Sequence, residues 1–113
     1  MTTSNLPPID ITTHDWALLL AVLQAHVPTC EVWAFGSRAR HTAKPYSDLD
    51  IAVIAPTPLS LRTMADLVQA LEASDMSIRT DVVDWASTQP SFQQIIQREH
   101  IVIQTPATPH SHP

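Results

Sequence analysis

Between residues 13 and 27, Trp16, Leu19, Leu20, Leu23 and Val27 recur at helical spacing. Thr12 or Thr13 caps this first predicted helix, Asp15 sits favourably in its first turn, and Pro28 stops the pattern. Residues 31–35 (EVWAF) read as a short strand. Residues 49–55 (LDIAVIA) are almost continuously apolar after Asp50, as in a strand covered on both faces, and Pro56 and Pro58 end them. Ser60 opens a second helix with Leu61, Met64, Leu67, Val68 and Leu71 on one stripe. Residues 78–85 (IRTDVVDW) form a third strand. Pro90 begins a third helix with Phe92, Ile95 and Ile96 facing inward, and residues 100–104 (HIVIQ) make a last edge strand. This order specifies an α/β fold, a mixed sheet of about four strands flanked by helices. Residues 1–11, with Pro7 and Pro8, read as an extended lead-in, 12–104 as one domain, and 105–113 as a disordered tail.

Composition narrows the classes. The chain has 113 residues, 44% of them hydrophobic and 15% charged, which suits one globular domain with a modest core. Six basic against eleven acidic residues give a net charge of −5. A protein gripping a long phosphate backbone carries a basic face, so direct nucleic-acid binding is not expected. A single cysteine, Cys30, cannot form an internal disulfide and reads as a small buried hydrophobe at the start of a strand. The first residues lack the basic and apolar regions of a signal peptide. The longest apolar run, Trp16 to Leu23, is far short of the roughly 20 residues of a membrane helix. A soluble, reducing, cytoplasmic setting without membrane contact is expected.

Candidate chemistry concentrates between the first two strands. Gly36 is the only glycine, placed directly after a strand and before Ser37. Glycine permits positive φ and close approach of a ligand to the backbone. Ten residues separate Ser37 from Asp48, and Asp50 follows two positions later. On a strand those two carboxylates share a face about 6.5–7 Å apart and can converge on one hard cation. A third carboxylate completes a two-metal phosphoryl-transfer site. Asp81 and Asp84 are the candidates and face opposite sides of their strand, and Asp81, sharing a face with Val83, is the choice. Other chemistries fail on spacing. Ala39 stands where a hydrolase nucleophile elbow needs glycine, no Gly-Lys-Ser/Thr loop occurs, and no Cys/His set has zinc spacing.

Taken together, GSRARHTAKPYSDLDIAVI and the later TDVVD resemble the nucleotidyltransferase superfamily that includes DNA polymerase β. The likeness is greatest to the minimal nucleotidyltransferases (MNT proteins) and spans roughly residues 14–104. The resemblance implies that Gly36 and Ser37 hold the triphosphate of ATP. It implies that Asp48, Asp50 and Asp81 are catalytic and bind magnesium, two ions in all, with Asp81 helping to deprotonate the attacking hydroxyl. Arg38 and Arg40 follow the serine and suit phosphate oxygens. Lys44 reads rather as a solvated loop residue. His41 stands where many relatives carry a second glycine and reads as a loop residue. His14, His26 and His100 fit helix ends and a strand start, and His110 and His112 lie in the tail. MNT proteins typically accompany a HEPN-domain protein in a toxin–antitoxin pair. The resemblance therefore implies an antitoxin that moves AMP from ATP to a tyrosine of a HEPN ribonuclease toxin. An antitoxin that only masks the toxin by binding is the alternative, and a free-standing transferase for a small hydroxylated substrate is a third reading.

Overall fold

A computed structural model describes residues 6–107, so His110 and His112 lie outside the described residues. The elements are α1 (Thr13–His26), β1 (Glu31–Phe35), β2 (Leu49–Ile54), α2 (Leu61–Ala73), β3 (Thr80–Asp84), α3 (Pro90–Arg98) and β4 (His100–Gln104). They build a four-stranded mixed sheet of order β3-β2-β1-β4. β1 lies antiparallel to both β2 and β4, whereas β2 and β3 run parallel. A parallel pair cannot be joined by a tight hairpin, and α2 supplies the crossover.

Strand alternation sorts the core into two faces. Leu49, Ile51 and Val53 of β2 point to the side covered by Leu19, Leu23, Leu67 and Leu71 of α1 and α2. Ala52 and Ile54 point to the other side, where α3 seats Ile96 beside Phe35, with Trp33, Val83 and Trp85 around them. Leu49, Ile51, Ala52 and Val53 are all fully buried, as the apolar run of β2 predicts.

Local chemistry sets the boundaries. Thr12, not Thr13, caps α1, its hydroxyl accepting from the Asp15 N–H at 3.1 Å, and Ser60 caps α2 through the Thr63 N–H at 3.0 Å. Asp15 is more than a first-turn charge. It is buried, and its carboxylate accepts from the backbone N–H and hydroxyl of Ser77, pinning the start of α1 to the turn before β3.

Several sequence expectations need correction. Leu61 is 90% exposed because it occupies the first turn of α2, beyond the reach of the sheet. On α3, Ile96 is buried, but Ile95 is 60% and Phe92 39% exposed. Successive helical residues diverge by about 100°, so a short helix on one line of contact cannot bury both Ile95 and Ile96. The third strand begins at Thr80, and Trp85 leaves it in a short 3₁₀ turn through Ser87. The lead-in is not detached: Ile9 is buried in the α1/α2 core, with Ile11 packed against it. Cys30 is half-buried against the same core.

Candidate active site

Alternation along β2 puts Asp50 on the α3 face, with Ala52 and Ile54. The parallel register sets Asp50 directly beside Asp81, whose face is shared by Val83. Asp48 precedes β2 by one residue and stands half-buried. Burial, then the Asp81 charge, then the Asp48 charge together raise the Asp50 pKa above its usual value of 3.8. Asp81 and Asp48 are thus near enough to oppose the ionisation of Asp50. Arg79 reaches Asp81 with a nitrogen–oxygen distance of 3.3 Å, and no ion pair engages Asp48 or Asp50 among the described residues.

Asp84 is placed differently. It lies opposite Val53, on the α1/α2 side. Its Oδ2 accepts from the Leu59 N–H and the Ser87 hydroxyl, each at 3.1 Å, while Oδ1 is buried without a partner. It ties the end of β2 and the approach to α2 onto β3.

Gly36 follows β1 with φ +79°, and a Cβ there would lie 2.6 Å from Asp50 Oδ2. The conformation favours glycine, and any larger residue would make the Asp50 carboxylate shift. Beyond it the chain turns tightly. The Gly36 carbonyl accepts from the N–H groups of Ala39 and Arg40, each at 3.1 Å, and the Ser37 carbonyl from that of Thr42 at 2.9 Å. His41 closes this turn at φ +59°, so it takes up the left-handed conformation that a glycine would adopt without strain.

The two arginines part company. Arg40 is exposed, 3.9 Å from Glu99, and lines a cleft of about 220 Å³ with Phe35, Gly36, Phe92, Ile95 and Glu99. Arg38 is buried. Its guanidinium donates to the carbonyls of Ser47, Asp10, Pro45 and Lys44. All three of its guanidinium nitrogens are engaged by backbone. Lys44 is exposed in the loop before β2. His100 opens β4, its ring stacked on Trp33 with centroids 3.8 Å apart.

The donor set suits magnesium: three carboxylates, all hard oxygen donors, with burial and the neighbouring carboxylates raising the Asp50 pKa. Among the described residues no group of three closes on a single point as a ready-made cage. Sequence reasoning missed the Arg79–Asp81 pair, the contacts of Arg38 and the exposed apolar flank of α3. Only Arg79, two residues before Asp81, left a sequence signal.

A glycine-floored turn faces Asp50 on one strand, with Asp48 one residue before that strand and Asp81 on its parallel neighbour. Residues 19–107 match the family model for polymerase beta nucleotidyltransferases, and the chain belongs to that family. It is 43% identical over 101 residues, covering 89% of both chains, to the probable protein adenylyltransferase MntA of Haemophilus influenzae. A crystal structure of a toxin–antitoxin with AMP-PNP superposes with a TM-score of 0.67 at 26% identity, covering 80% of this chain and 73% of that one. The fold is also shared with a complex of tri-AMPylated Shewanella oneidensis HEPN toxin and MNT antitoxin. There the TM-score is 0.58 and the identity 23%, over 81% of this chain and 71% of the other. Among the described residues no helix is long and apolar enough to cross a membrane.

Proposed function

We propose that this chain is the antitoxin of a HEPN/MNT pair and acts as a protein adenylyltransferase, moving AMP from ATP to a tyrosine hydroxyl of its HEPN toxin. The observation that carries the reading is the parallel register of Asp50 and Asp81, with Asp48 beside them and Gly36 against the Asp50 carboxylate. The likeness to MntA names the reaction class, and the likeness to a toxin–antitoxin bound to AMP-PNP supports both nucleotide and partner.

In this reading the turn at Gly36 and Ser37 receives the triphosphate, and exposed Arg40 adds a cation beside it. Asp48, Asp50 and Asp81 would hold magnesium, which would supply charge neutralisation at the phosphates. The tyrosine oxygen attacks that phosphorus, a P–O bond forms, the bond to the β-phosphate oxygen breaks, and pyrophosphate leaves. Asp81 accepts the tyrosine proton. The protein's share is chiefly positioning and electrostatics. The partner brings the hydroxyl past the α3 flank, where Phe92 and Ile95 leave apolar surface on the face that carries the carboxylates.

The test is mass spectrometry of the toxin co-expressed with the chain. Wild type should add AMP to a toxin tyrosine, and Asp50→Asn should leave the toxin unmodified. An unmodified toxin that wild type nonetheless silences would overturn the reading in favour of masking.

A further inference from the structure

We propose that Arg38 is a positioning residue for AMP transfer: its buried guanidinium straps residues 8–11 to the loop 44–47 and thereby fixes where Asp48 stands. The proposal rests on the nucleotidyltransferase reading above and assigns Arg38 no contact with substrate.

Arg38 is 7% exposed, and among the described residues no carboxylate pairs with it. A buried cation without a counter-ion needs its N–H donors paired. Here Nε donates to the Ser47 carbonyl and Nη1 to the Asp10 carbonyl, both at 2.9 Å. Nη2 donates to the carbonyls of Pro45 at 3.2 Å and Lys44 at 3.4 Å. A planar fork can serve acceptors arriving from three directions, which a lysine ammonium cannot reproduce.

Both strapped segments are themselves anchored. The Asp10 N–H returns a hydrogen bond to the Arg38 carbonyl at 2.8 Å, the His41 ring meets the Pro8 carbonyl at 3.2 Å, and Ile9 is sunk in the core. The loop is closed on itself by Ser47 N–H to the Lys44 carbonyl and Lys44 N–H to the Ser47 hydroxyl, both at 3.0 Å. Asp48 therefore sits between two fixed points. Arg38 holds the carbonyl of Ser47 before it, and the Arg79 carbonyl accepts from the Leu49 N–H after it at 2.8 Å. The left-handed strain at His41 is retained on the same strap.

The experiment compares R38K and R38M with wild type in AMP transfer onto the toxin, alongside amide hydrogen exchange of the chain. R38M removes a buried charge together with its desolvation cost, and the exposed residues Lys44 and Pro45 can turn their carbonyls to water, so it should fold. Misplacement of a reacting group costs up to about 100-fold, so both variants should lose roughly 10- to 100-fold in kcat with KM for ATP within about threefold of wild type. Amides 44–49 should exchange faster while those of α1 and α2 do not change. An unchanged kcat overturns the proposal. So does a raised KM with kcat intact, which would put Arg38 on the phosphates. So does a kcat that returns to the wild-type value on cooling to where every variant is fully folded. If wild type itself transfers nothing, the transferase reading falls, and the exchange at 44–49 still decides whether Arg38 orders this loop.

Discussion

At the residue scale, Gly36 and Asp50 are coupled by contact. Gly36→Ala forces a Cβ into the Asp50 carboxylate and an L-residue into φ +79°. It should cost about 1–2 kcal/mol of stability from the backbone alone. Transfer should fall roughly 10- to 100-fold, because a catalytic oxygen must move. Thermal melts and initial rates check the two effects. Asp50→Asn should act oppositely on stability. The folded-state pKa of Asp50 lies above 3.8, so the folded protein keeps this proton to higher pH than the unfolded chain does. The associated stability is present at low pH and is lost as pH rises through the folded pKa. Asn removes that loss and the like charge beside Asp81. It should therefore raise stability above that pH by about 0.2–1 kcal/mol and flatten the acid slope of melting temperature against pH, while abolishing transfer. Asp84→Ala should do the reverse, costing about 1–3 kcal/mol through the orphaned Leu59 N–H while kcat stays within about threefold of wild type.

These residues differ in how far a sequence can reveal them. Gly36, Asp48 and Asp50 announce themselves because their chemistry is local: one glycine, one gap, one i, i+2 pair. Asp81 follows from alternation with Val83. The role of Arg38 was hidden because a guanidinium suits phosphate oxygens and backbone carbonyls alike. Only the return of residues 8–11 to the loop decides between them.

At the element scale, hydrophobic period locates every helix and strand, since each must turn an apolar side to one sheet. It does not give the parallel pairing of β2 with β3, on which the whole site depends. That pairing comes from α2 crossing over between them. Nor does it say how α3 is rotated, because Phe92, Ile95 and Ile96 suit more than one stripe on a helix of nine residues. The observed rotation has a direct consequence. Ile96→Ala should cost about 2–5 kcal/mol by opening a cavity against Phe35 and Ala52, whereas Ile95→Ser should change stability by less than about 0.5 kcal/mol. Denaturant melts of the two variants would show which residue faces the sheet. Equal losses would contradict this packing.

At the scale of the whole molecule, the sheet separates two duties. One face, under α1 and α2, holds the main core. The other is covered by α3 and by Trp85 of the 3₁₀ turn, and carries the carboxylates, the Gly36 turn and an apolar flank beside them. The most direct measurement follows label from α-labelled ATP with magnesium onto the cognate HEPN toxin, using wild type and Asp48→Ala/Asp50→Ala. The account predicts label on a toxin tyrosine with wild type, none with the double variant, and loss of toxin ribonuclease activity only where label is found. Silencing of the toxin by the double variant without any label would contradict it, and would make the carboxylates bystanders in a masking complex.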